Sequence, residues 1–202
     1  DDTFIRESLR SRPPFDVFPI DCQQPPTTSK ATGNNLFKII KEKIKTTDDA
    51  WNYVYDELVE DSEFSKLLDS PNDYPDLDEK RAIMGMNVLD AKYIRIAILT
   101  AKRKWAPNLN ASDPNYIKYR DFVKFIIPYF FRYKTILGEP QQNLEGYIAR
   151  ICKEINKDGE KKWKRNVEGV VEKDQNNEPV IETDGNNNPI IIKTEVNDLI
   201  KY

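Results

Sequence analysis

Between Asn35 and Asp158 the apolar residues return every three to four positions. That period belongs to a helix with one face turned inward. The spacing predicts a mainly α protein, a helical bundle of about five to six helices. Leu36, Phe37, Ile39, Ile40 and Ile44 form the first stripe, and Trp51, Val54, Tyr55, Leu58 and Val59 the second. Thr47 followed by Asp48 and Asp49 reads as an N-terminal cap with acids near the positive helix end. A short helix carries Phe64, Leu67 and Leu68. Asp78 then caps the longest one, from about Glu79 to Trp105. Its run Ala97 to Leu99 is apolar on several sides, which places it at the centre. Ser112-Asp113-Pro114 opens the next helix with proline in its first turn. Pro128 kinks or restarts that helix, and Gly138 suits the residue just past its end. The last helix runs from about Pro140 to Lys157 and stops at Asp158-Gly159. The aromatic cluster Tyr116 to Tyr133 reads as core rather than as a stacking platform for bases. Cys152, beside an apolar stripe, reads as a small buried hydrophobe rather than a nucleophile.

The two ends of the chain break this rhythm. Residues 1–34 read as an extended arm, because Pro13, Pro14, Pro19, Pro25 and Pro26 remove backbone donors and favour extended neighbours. The arm is not a bland linker, since Phe15, Val17, Phe18 and Ile20 sit between the prolines and form a candidate interface. They pack either on their own domain or on a neighbouring subunit. Residues 35–159 are the helical core domain, and residues 160–202 a β extension. In the extension, Asp174-Gln175-Asn176-Asn177-Glu178-Pro179-Val180-Ile181 is matched ten residues later by Asp184-Gly185-Asn186-Asn187-Asn188-Pro189-Ile190-Ile191. Turn-forming Asn, Asp, Gly and Pro between β-branched pairs predict a small antiparallel β-meander. Asp184, Asn186, Asn188 and Glu195 have the spacing of a calcium loop. Pro189 stands where that loop needs glycine, so a plain turn is the better reading.

Composition narrows the chemistry. The 202 residues contain no histidine and two cysteines, Cys22 and Cys152. That removes His-based acid–base catalysis, His metal ligands, Cys-rich zinc sites and a disulfide framework. Carboxylate pairs are frequent in residues 56–79, but without a supporting motif they specify no site. The sequence reads as non-enzymatic, with no catalytic residue, cofactor or metal expected. No apolar run reaches the roughly 18–20 residues needed to cross a bilayer, so no membrane partner is expected. No leader peptide is expected either. Net charge is −3, distributed as +2 over residues 1–47, −11 over 48–79, +11 over 80–165 and −5 over 166–202. Such complementary faces steer association with anionic partners or with the next copy of the same protein. Lys102, Arg103 and Lys104 beside Trp105, with Lys161, Lys162, Trp163, Lys164 and Arg165, form a candidate basic face. Cations next to an indole can neutralise phosphates and stack on bases, so a nucleic-acid-binding module is the alternative reading.

The Asp184-Gly185-Asn186-Asn187-Asn188-Pro189 loop between β-branched pairs resembles hairpins of tailed-phage virion proteins. A helical core with an extended N-terminal arm and a β-hairpin extension is similar in outline to the head–tail connector, or neck ring, proteins of such phages. The resemblance implies a structural protein of the virion, a ring-forming homo-oligomer that contacts other structural proteins of the assembly and, in places, nucleic acid. A cytoplasmic location is the alternative. The resemblance transfers no catalytic or binding residue.

Overall fold

The structure is a computed structural model that describes residues 4, 5, 7, 8, 11, 41, 44–74, 76–138, 141–167, 170–176 and 178–199. The candidate arm interface Phe15, Val17, Phe18 and Ile20, the stripe from Leu36 to Ile40, and Cys22 lie outside those residues. The chain divides into two compact units, Asp1–Lys153 and Glu154–Tyr202.

The first unit is helical. Helix α1 (Thr47–Asn52) passes into a π-helical segment, Tyr53–Val59, and then into α2 (Glu60–Asp69). Its cap is Thr46 rather than Thr47. The Thr46 hydroxyl accepts from the Asp49 amide and the Asp49 carboxylate accepts from the Thr46 amide, a reciprocal capping box. A 3₁₀ turn, Pro71–Asp73, leads to α3 (Leu77–Val88), capped by Asp76 through the Glu79 amide at 2.8 Å.

The single long helix expected from Glu79 to Trp105 is two helices. Helix α3 ends at Val88 and α4 runs Lys92–Trp105. The reason lies in Asp90, whose φ is +48°. The Ala91 amide donates to the Met86 carbonyl and the Asp90 amide to Asn87, both at 3.1 Å, which is a Schellman termination with aspartate in the left-handed position. Helix α5 (Pro114–Phe131) is capped by Asp113 and runs on through Pro128. Proline leaves one carbonyl of the preceding turn without its helical donor. Past Phe131 the helix widens into a second π segment, Arg132–Ile136, where the Leu137 amide reaches back to Arg132 at 3.0 Å. Helix α6 covers Gln141–Lys157. Gly138 has a φ of +65°, as a residue ending a helix needs.

Helix α4 is buried around its circumference: Ile94, Ile96, Ala97, Ile98 and Leu99 are all enclosed. It packs on α5, which contributes Tyr119, Phe122, Val123 and Ile126, and α3 adds Ile83 and Met86. Trp105 meets Phe122 edge-on at 5.9 Å, and Phe64 of α2 meets Tyr119 at 6.5 Å. Each such side chain contributes roughly 1.5–3 kcal/mol on burial, so this aromatic layer is where the first unit gains its cohesion. Among the described residues no helix is long and apolar enough to cross a membrane.

The second unit departs from the expected meander. Among its described residues there is no continuous strand, only isolated antiparallel bridges such as Lys161 with Ile191 and Trp163 with Ile181. Backbone bonds close in rings of three. The Lys162 amide donates to Ile190, Ile190 to Glu182, and Glu182 back to Lys162, each at 2.8 Å. A second ring joins Lys164, Val180 and Glu172 at 2.9 Å. A flat sheet pairs strands two at a time. Here three segments meet in each layer, and every ring member uses both its donor and its acceptor. Each layer holds one lysine, one glutamate and one aliphatic residue, with Lys162 bonded to Glu182 at 3.0 Å and Lys164 to Glu172 at 2.7 Å.

The turns feeding these layers share one design. The side chains of Asn166, Asp174 and Asp184 accept the amides of Val170, Glu178 and Asn188, four residues on, at 2.9–3.0 Å. The sequence shows two copies of this turn. The structure has a third, at Asn166, hidden in the sequence because Glu168 and Gly169 stand where its siblings have two Asn, and Val171 where they have Pro. Asp184 Oδ1 is occupied by the Asn186 and Asn188 amides, which hold its carboxyl below the usual range. That is turn chemistry, with the oxygen engaged by its own loop.

Candidate functional site

Three features of the first unit bear on function. They are a set of ion pairs joining its acidic and basic blocks, a sealed carboxylate, and an exposed apolar face.

Part of the acidic block 48–79 pairs with the basic block that follows it, within the chain. Arg103 Nε meets Asp61 Oδ1 at 3.0 Å, Lys102 meets Glu60 at 2.6 Å, and Arg95 meets Asp69 at 2.6 Å. Arg120 reaches Asp76 at 3.7 Å and Lys124 reaches Asp78 at 3.5 Å. Asp61, Lys102 and Arg103 belong to a buried network that also anchors the start of the chain. The Ser8 hydroxyl donates to Asp61 Oδ2 at 2.5 Å, and Arg103 donates to the Ser11 carbonyl at 2.7 Å and to the Ser11 hydroxyl. Thr100 donates to the same carbonyl at 3.0 Å, and Arg95 pairs with Glu7 at 3.3 Å. Buried charges need such partners, because an unmatched one costs several kcal/mol.

This arrangement redistributes the candidate basic face. Lys102 and Arg103 point into their own unit, and Lys104 is exposed. In the second unit, Lys162 and Lys164 pair across their rings, and Lys161, Trp163 and Arg165 are exposed, as are the two paired lysines. The two clusters belong to different units, and four of the seven cations, Lys102, Arg103, Lys162 and Lys164, make those inward or cross-ring pairs.

The sealed carboxylate is Glu79, in the first turn of α3 and wholly buried. The Tyr116 hydroxyl donates to its Oε2 at 2.5 Å, while Oε1 has no hydrogen bond. Tyr74 and Tyr119 face each other beside it, with their hydroxyls 3.3 Å apart. Burial pushes the Glu79 carboxyl up to about 7, against the pull of the Tyr116 hydrogen bond. Burial likewise raises the hydroxyls of Tyr74, Tyr116 and Tyr119. Perturbed groups of this kind often mark active sites. Here Glu79 has no exposed surface, so its ionisation bears on stability. Cys152 is buried too, and burial pushes its thiol up to about 12. Thr100 Oγ1 lies 3.4 Å from its sulfur. A thiol in that state is no nucleophile. Among the described residues no group of three Cys, Asp or Glu side chains is placed to hold a metal ion.

The exposed face is carried by α1 and the π segment after it. Tyr53 turns inward against Ile5, Ile44 and Leu58. On the other side Trp51 is 55% and Tyr55 58% exposed, their rings stacked at 4.9 Å, with Val54 and Val59 also exposed. A groove of about 350 Å³ continues this face, lined by Phe4, Val54, Leu58, Val59 and Lys66. The spacing made Trp51, Val54, Tyr55 and Val59 a core stripe. The structure turns them outward, because the wider π turns rotate Tyr53 into the core position instead. π-helical segments interrupt helices at a stability cost and cluster where a helix is used for function.

No family model, no curated protein and no solved structure matches this chain.

Proposed function

We propose that this protein is a non-enzymatic structural subunit of a multi-subunit assembly. The observation that supports this most is the outward stack of Trp51 on Tyr55, flanked by Val54 and Val59. An isolated exposed apolar residue means little. A contiguous aromatic and aliphatic patch with an acidic surround has the make-up of an interface core with a polar rim. The resemblance of the Asp184–Pro189 loop to virion hairpins gives the assembly its class, the neck or tail ring of a tailed phage, with the virion as its location. The nucleic-acid alternative draws less support, because Lys102, Arg103, Lys162 and Lys164 are engaged by carboxylates of their own units.

The test is sedimentation velocity of the full chain, alone and with the other structural proteins of its source. Replacing Trp51 and Tyr55 by serine should abolish complex formation while circular dichroism stays unchanged. Undiminished assembly by that variant overturns the reading.

A further inference from the structure

We infer that the partner of the Trp51 face is a second copy of this chain, bound head to tail through the segment Phe131–Leu137. The inference rests on the assembly reading above and names its partner.

Two π segments interrupt the helices of the first unit, Tyr53–Val59 and Arg132–Ile136. Large apolar side chains are exposed at both. Around the first are Trp51, Val54, Tyr55 and Val59. Around the second are Phe131, Ile136 and Leu137, the last two each 67% exposed.

The charges beside the two patches are opposite. Asp48, Asp56 and Glu63 are exposed near the first, and Arg132 and Lys134 near the second. None of these five makes an ion pair among the described residues, although Lys134 does lie over the Phe130 ring at 5.6 Å. Other members of the acidic and basic blocks are consumed internally, by the pairs of Asp61, Glu60, Asp69, Asp76 and Asp78. What remains is an apolar patch whose three acids outnumber Lys66 in its groove, and a basic apolar patch, on one chain. Opposite potentials set the register of a contact and suppress like-with-like pairing. A two-fold contact centred on either patch would bring like charges together. Different patches in contact make a heterologous interface, which closes as a ring or continues as a filament.

The experiment uses two charge-reversed full-length chains. The first carries Asp48→Lys, Asp56→Lys and Glu63→Lys. The second carries Arg132→Glu and Lys134→Glu. Sedimentation velocity should show wild type self-associating, and each variant alone weakened by at least ~10-fold. An equimolar mixture of the two should recover association, since each restores the other's complement. A single chain with all five changes should recover it as well. Circular dichroism establishes that every variant is folded. A wild type that stays monomeric overturns the inference, as does a mixture that fails to recover. If the reversals do nothing but Trp51→Ser with Tyr55→Ser abolishes association, the head-to-tail partner is wrong and the assembly reading stands. If neither set matters to an associating wild type, both fail.

Discussion

Glu79 makes the stability of the first unit depend on pH in a direction opposite to that of an ordinary surface acid. In the folded chain burial pushes its carboxyl up to about 7, against 4.5 when exposed. A raised folded value means that the folded state holds the proton more tightly than the unfolded one. The favourable contribution is therefore fully present below about pH 4.5 and is lost as pH rises through about 7. At ~1.4 kcal/mol per unit, full ionisation costs on the order of 3 kcal/mol. Burial sets that sign, and the groups facing Glu79 only modulate it. Asp76 raises it further by repulsion, while the Tyr116 hydrogen bond and Arg120, which pairs with Asp76, pull it back in part. The perturbation is Glu79→Gln, which keeps an acceptor for the Tyr116 hydroxyl and cannot ionise. Urea denaturation of both proteins should be followed from pH 5 to pH 9. The stability difference in favour of the variant should grow across that range by ~3 kcal/mol, equivalent to roughly 6–12 °C in Tm for a domain of this size. Parallel pH profiles for the two proteins would refute the reasoning.

Other expectations follow from the same structure. Arg103→Met strands the buried Asp61 carboxylate and should cost about 3–5 kcal/mol in urea denaturation, and adding Asp61→Asn should recover part of it; a loss under ~1 kcal/mol contradicts the network. Removing residues 1–11 deletes the Ser8 and Ser11 contacts and should lower Tm, whereas an unchanged Tm would mean that these residues do not hold the core. The Cys152 thiol should resist a thiol-specific reagent at pH 8 until the chain is unfolded, and rapid labelling of the native protein would contradict its burial.

Much of the helical content is legible in the periodicity, because an amphipathic stripe leaves a strong local signal. Asp113 with Pro114, Gly138 and the central place of α4 are likewise readable from residue type. The caps slip by one or two residues, to Thr46 and Asp76, since neighbouring Thr and Asp offer equivalent oxygens. The break at Asp90 is hidden by the apolar pattern running across it. Nothing local distinguishes an aspartate in the left-handed position from one on a helix surface. Glu79 looks like an acid placed to suit a helix dipole, and only the tyrosines brought to it from α5 make it a buried titrating group. The Trp51 face misleads for a related reason. A 3.6-residue period assumes regular turns, and the π segment changes which side chains face inward. The rings of the second unit depend on three-way pairing between segments, which alternation along one segment cannot convey.

The head-to-tail contact is tested most directly by site-specific cross-linking between copies. In a Cys22→Ser background Cys152 is shielded, so new cysteines can be placed at Asp56 and, in a separate protein, at Lys134. A short bifunctional thiol cross-linker added to the equimolar mixture should give heterodimers joining Asp56→Cys to Lys134→Cys. Neither protein alone should cross-link to itself. Efficient linkage of Asp56→Cys to its own kind, or no linkage in the mixture, would contradict the account.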